Sequence, residues 1–371
     1  MSNKNFLITL IVTLIGLIAF LGGYLISQNR SDFAQQNFRQ QASISNLSRF
    51  SGSSQISRET MSKQITNNFD QLTRLSTVKV TAPTISEDGK KVLYFQKDSG
   101  EILATDLVTQ NSSIILGNLL PGLISAEWNK NGTEVITNQT GKGKNYFNLK
   151  TGETTHLNAN MSSMAWSKNS QKIAYLFYDQ KTGEGQISVS DPDGSVFKNI
   201  LPTRAENLKI AWATNNLLSF YNPSGDDRSV FLLNMETKQL NKIIDSLDGI
   251  KILWSPDGAK LFYSYKEAGL IKAAILNLAD QTTTTMDLRT RADKCTWTLN
   301  SFYLYCGGKK ESDLSEKLYQ LDINKKEFGL IFESTSMEPL EFSQLVLSPT
   351  ENTLFFINSF DNYLYKINLE K

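Results

Sequence analysis

The chain contains one histidine, His156, in 371 residues. A lone imidazole cannot build a multi-histidine zinc or iron site. Any Ser-His-Asp triad would have to use it. Its setting, Thr154-Thr155-His156-Leu157, reads as a polar strand edge. There is no G-x-S-x-G nucleophile elbow and no G-x-x-x-x-G-K-[ST] or G-x-G-x-x-G phosphate loop. Gly141-Lys142-Gly143-Lys144 has glycines and cations but no strand-to-helix context, so it reads as a solvated hairpin loop. Asp191-Pro192-Asp193-Gly194 starts like a calcium loop but lacks the later ligands and the closing Glu, so a β-turn is expected. No metal and no cofactor are expected. Excess charge is missing too. The chain has 38 Lys+Arg against 37 Asp+Glu, a net +1. With no basic stripe interleaved with aromatics, no nucleic-acid partner is expected.

What the chain does have is a repeat. Trp254-Ser255-Pro256-Asp257-Gly258 leads into Lys260-Leu261-Phe262-Tyr263. Pro256 presets φ for a turn, Asp257 can bond its own backbone, and Gly258 accepts a positive φ. Apolar and aromatic flanks suit strands. Weaker copies start at Ile85, Trp128, Trp166, Trp212, Trp297 and Leu347, and the Trp212 copy is one residue shorter. The seven starts are 43, 38, 46, 42, 43 and 50 residues apart. All five tryptophans of the protein stand at the same phase of the repeat. A period near 40–45 residues with about four strands per unit marks a β-propeller. Each Trp is expected to pack between blades.

The motif resembles the W-S-P-D-G-x-x-L repeat of TolB-like propellers, also called WD40-like or PD40 repeats. The resemblance covers residues 70–371, and the Trp254 copy alone matches in full. TolB propellers have six blades, whereas seven are counted here. The resemblance implies protein interaction without naming a partner.

Residues 6–26 carry no charge. As a helix they would span about 31 Å, enough for a bilayer core. The small-x-small site of a cleavable signal peptide is poorly matched, so an uncleaved anchor is expected. Arg30, Arg39 and Arg49 follow the segment and oppose the positive-inside rule, but large domains translocate despite such charges. The expected organisation is a tail (1–5), a transmembrane anchor (6–26), a polar tether (27–68) and a seven-bladed propeller (69–371) outside the cytoplasm. Overall the fold is expected to be all-β, with four-stranded antiparallel blades after one N-terminal transmembrane helix.

The last repeat has no fourth strand of its own, and residues 69–75 have no repeat of their own. They are expected to complete the seventh blade and close the ring, because an open edge invites aggregation. Cys295 and Cys306 are the only cysteines. If residues 299–302 form the loop of the sixth hairpin, Cys295 faces Cys306 and a disulfide is expected. That bond favours an oxidising exterior.

Propellers bind ligands at one end of the channel, in the loops after strands b and d of each blade. Arg204, Arg228, Arg289 and Arg291 fall there and could grip carboxylates, with Glu206, Asp226, Asp227 and Asp293 as competing partners. The leading expectation is a monomeric binding or scaffold module for an envelope protein or glycan. The alternative is a hydrolase or lyase acting on a glycan or peptide with carboxylates in the channel, and a third is a sensor relaying through its tether.

Overall fold

A computed structural model describes residues 71–117, 121–334 and 339–369. The anchor and tether expected in residues 1–68 lie outside them. The described chain forms seven antiparallel four-stranded sheets, each strand bonded to its neighbour in sequence except at the closure. The strands of a blade are lettered a to d in chain order. Blade 5 shows the pattern: a is Asp248–Trp254, b is Lys260–Glu267, c is Leu270–Asn277 and d is Thr283–Met286.

The burial of the strands fixes the radial order. The a strands of successive blades pack against one another, so they line the centre. The b strands read as near-continuous buried runs, such as Val92 to Phe95 and Leu354 to Asn358, because a neighbouring blade covers each of their faces. The d strands are largely exposed, as in Ser112–Leu116. The core is accordingly divided. Seven apolar clusters occur, one at each junction of two blades. Propeller stability is therefore a sum of interfaces between neighbours.

The repeat motif supplies those interfaces. Trp128 Nε1 donates to the Ala82 carbonyl at 2.8 Å, Trp166 Nε1 to Glu127 O at 2.8 Å, Trp212 Nε1 to Ala165 O at 2.9 Å and Trp297 Nε1 to Leu253 O at 3.3 Å. Each acceptor is in strand a of the preceding blade. Trp254 reaches the same place through a relay. Its Nε1 donates to Ser219 Oγ at 2.7 Å, and Ser219 Oγ donates to Ala211 O at 3.2 Å. Each tryptophan thus buries apolar area and also satisfies an inner-strand carbonyl, which suits a ring with one polar handle.

The turn holds as its residues require. Gly258 N donates to Ser255 O at 2.9 Å, and Gly258 has φ +70°. A Cβ at Gly258 would fall on the Ala213 carbonyl oxygen and within 2.6 Å of Thr214 Cγ2, both in the preceding blade. Gly132 meets Ile85 O of its preceding blade in the same way. The motif glycine is required twice over, by its backbone conformation and by close approach of the preceding blade.

The ring closes as the chain ends suggest. Leu72–Arg74 pairs antiparallel with Leu364–Asn368 in the seventh sheet, with Leu72 opposite Ile367 and Arg74 opposite Tyr365. In blade 6, Cys295 stands opposite Cys306 and Trp297 opposite Leu304. The two cysteines are disulfide-bonded, with Cα atoms 4.2 Å apart, and both are buried.

Candidate functional site

The connections after strands b and d gather on one face, and the short a–b turns of the repeat gather on the other. On the first face, a cavity of ≈ 790 Å³ opens between blades 2, 3 and 4. Its wall includes Asn160, Glu206 and Asn207 from loops entering strands a, Gln180 and Ser224 from loops leaving strands b, and Tyr178 from the end of a b strand. Lys144, Ser162, Ser163 and Lys209 line it and also line a second space of ≈ 620 Å³ along the inner strands of the same blades. The two spaces therefore adjoin, one at the mouth and one in the channel wall.

The inner strand of blade 3, Met161–Trp166, is irregular here. Its pairing with the next strand shifts between Ser162 and Ala165, and Ser163 has φ +49°. The bulge turns Ser163 toward the next blade, where its Oγ accepts from Ile210 N at 2.8 Å. The same device recurs in blade 7. Gln344 has φ +50°, and its Oε1 accepts from Ala82 N at 2.6 Å in blade 1. Non-glycine residues at positive φ are strained, and here they sit where the channel wall must turn.

Charges of both signs face these spaces. Glu206 accepts from the Tyr178 hydroxyl at 3.4 Å. Glu127 lines the ≈ 620 Å³ space and, with Gln344, a further ≈ 360 Å³ space beside it. Glu127 is an exposed position of strand Leu123–Trp128, yet neighbouring protein crowds its carboxylate. That surrounding pushes its pKa above the usual carboxylate range, and Lys209 pulls it back only in part. Burial lowers the Lys144 ammonium below the ordinary lysine range, with no carboxylate acting against it.

The four arginines expected to bind lie on this same face, in the loops entering strands a and leaving strands b, but none lines the cavity. Arg228 pairs with Asp248 at 2.8 Å, Arg289 with Glu311 at 3.5 Å and Arg291 with Asp293 at 2.9 Å. Asp293 also takes Lys251 from the inner strand of blade 5. Arg204 is exposed. His156 is an exposed residue of strand Thr154–His156, its Nδ1 3.0 Å from Asn145 Oδ1. Among the described residues, no group of three or more His, Cys, Asp or Glu side chains is placed to hold a metal ion.

Lys144 is the residue that sequence reasoning passed over. The run 141–144 looked like a solvated loop, but Gly143 and Lys144 begin strand c of blade 2, Gly143–Asn148. Pairing of Lys144 with Asn138 carries its side chain to the cavity wall. The signal available was the apolar Tyr146-Phe147 pair, which sets the phase of the strand backward to Lys144.

Neither a protein-family model nor a curated protein sequence matches the chain. Solved structures do. The chain is similar to an oligogalacturonate lyase in complex with manganese, at 13% identity and TM-score 0.61, covering 82% of this chain and 95% of that one. It is similar to an oligogalacturonate lyase from Vibrio parahaemolyticus, at 14% identity and TM-score 0.60, covering 81% and 94%. It is also similar to the β-propeller domain of Cps50 (Swd1) from Myceliophteria thermophila, at 13% identity and TM-score 0.58, covering 81% and 100%. The likeness is one of fold. Likeness of fold at so low an identity does not carry a function with it.

Proposed function

We propose that this protein is a non-catalytic binding or scaffold module, anchored in a membrane by residues 6–26, with its propeller outside the cytoplasm and its partner an envelope protein or glycan. The observation that carries the reading is the ≈ 790 Å³ cavity on the b–c and d–a loop face, continuous with the channel wall. A concave site with convergent polar groups is the usual form of a ligand pocket. The TolB-like repeats add a leaning toward interaction. One observation favours a second reading, a hydrolase or lyase acting on a glycan. The raised carboxyl of Glu127 in the channel wall suits general acid–base work.

The test uses the full-length chain in detergent, wild type and Asn207→Trp, the latter filling the cavity from its rim. Wild-type protein should retain a defined envelope protein or glycan, and the variant should lose it while melting at the same temperature. Retention by both proteins removes the cavity from the reading. Steady turnover of a glycan by wild type, abolished in Glu127→Gln, reverses the ranking in favour of the enzyme.

A further inference from the structure

We propose that the cavity between blades 2, 3 and 4 takes an acidic oligosaccharide, one whose rings carry carboxylates, and that Lys144 and Lys209 hold those carboxylates. The proposal rests on the binding-module reading and names the ligand of the same cavity. Lys144 comes from strand c of blade 2 and Lys209 from strand a of blade 4. Both line the mouth cavity and the channel space, so they stand where one opens into the other. Some lysines of the propeller have a carboxylate at hand, as Lys172 has Asp191 and Lys251 has Asp293. Among the described residues, Lys144 and Lys209 have no ion pair and no side-chain hydrogen bond. Lys144 is partly buried with no carboxylate acting on it, a setting that an anionic ligand relieves, while Lys209 is exposed and within electrostatic reach of Glu127.

The remaining wall selects a sugar over a peptide. Asn160, Gln180 and Asn207 face the cavity, and their side-chain amides have no partner among the described residues. Amides offer donors and acceptors together, which is what a run of hydroxyls needs. Apolar wall comes from Ala159, Leu208, Pro223 and the Tyr178 ring, and nine of the thirteen lining residues are polar or charged. Glu206 stands at the rim, held by Tyr178, and can accept from a sugar hydroxyl. Glu127 lies in the channel part, where the raised pKa of its carboxyl weakens its opposition to an incoming anion.

The experiment is isothermal titration of the full-length chain in detergent with three probes: β-1,4-linked tetraglucuronate, cellotetraose as its neutral counterpart, and tetraglutamate. Tetraglucuronate should bind about tenfold or more tightly than cellotetraose, the difference expected of a charge-assisted contact. Lys144→Met and Lys209→Met should each erase about a tenfold share of that preference and leave cellotetraose unchanged. Lys144→Arg and Lys209→Arg should retain it, which separates lost charge from lost fold. Equal affinity for the two sugars, no binding of tetraglucuronate, or indifference to the methionine substitutions overturns the proposal. Preference for tetraglutamate overturns it in favour of an acidic peptide. If tetraglucuronate does not bind but wild type still captures an envelope partner that Asn207→Trp loses, the binding-module reading stands while the acidic-sugar ligand falls.

Discussion

At the scale of the residue, two side-chain types carry the ring. Trp tethers one blade to the inner strand before it, and Gly lets the turn close onto that same preceding blade. The glycine argument can be isolated. Gly258 and Gly141 have almost the same backbone, φ +70° and φ +71°, but a Cβ at Gly141 meets nothing within 4 Å. Gly141→Ala should cost about 1–2 kcal/mol, the penalty of left-handed backbone alone. Gly258→Ala adds overlap with the Ala213 carbonyl and should cost about 1–3 kcal/mol more. Urea unfolding of the two variants should separate those terms, and equal midpoints would mean that blade contact contributes nothing. The tryptophans and the turn were legible because each sits at a fixed place in a repeat that occurs seven times. The hydrogen bonds of the Trp rings were not legible. Their acceptors are backbone carbonyls 39 to 47 residues away, and in blade 5 a relaying serine 35 residues away, Ser219. Lys144 was hidden for a related reason. A single cation at the start of a strand has no local pattern, and the cavity that gives it meaning is assembled from three blades.

At the scale of the element, the closing strand decides whether the molecule is a ring. The orphan segment before the first repeat and the missing strand after the last pointed to each other, and the structure pairs them over Leu72–Arg74. Strand boundaries were less legible than strand order, since of the described residues 71–75 only Leu72–Arg74 form the paired strand. The bulges were invisible, because Ser163 and Gln344 are ordinary strand residues until the neighbouring blade's amide is in place. Leu72 packs against the cluster shared by blades 6 and 7. Leu72→Asp should therefore cost about 1–3 kcal/mol by placing a charge against that core. A chain beginning at Val78 should melt lower and aggregate more than one beginning at Thr66, because its seventh blade keeps an open edge. Coincident melting curves for the two chains would show that the closure contributes little.

At the scale of the whole molecule, the proposed location outside the cytoplasm can be tested through the disulfide and the apolar segment together. Cys295 and Cys306 occupy opposed positions of a single hairpin, 11 residues apart, so their bond adds at most about 3 kcal/mol to a ring already held at seven interfaces. Stability alone does not require it. A bond of this kind persists where glutathione and thioredoxin do not reach, and residues 6–26 are long enough to hold the propeller at a membrane on that side. The two features predict the same outcome by independent routes. Intact protein should fractionate with membranes, and protease added after permeabilising only the outer layer of the cell should digest the propeller. Mass spectrometry of the same unreduced sample should find Cys295 linked to Cys306. A protected propeller with free thiols would place it in the cytoplasm and remove envelope partners from consideration. A digested propeller with free thiols would keep the location and show that the paired cysteines serve as buried apolar contacts, a role their packing beside Trp297 and Leu304 already allows.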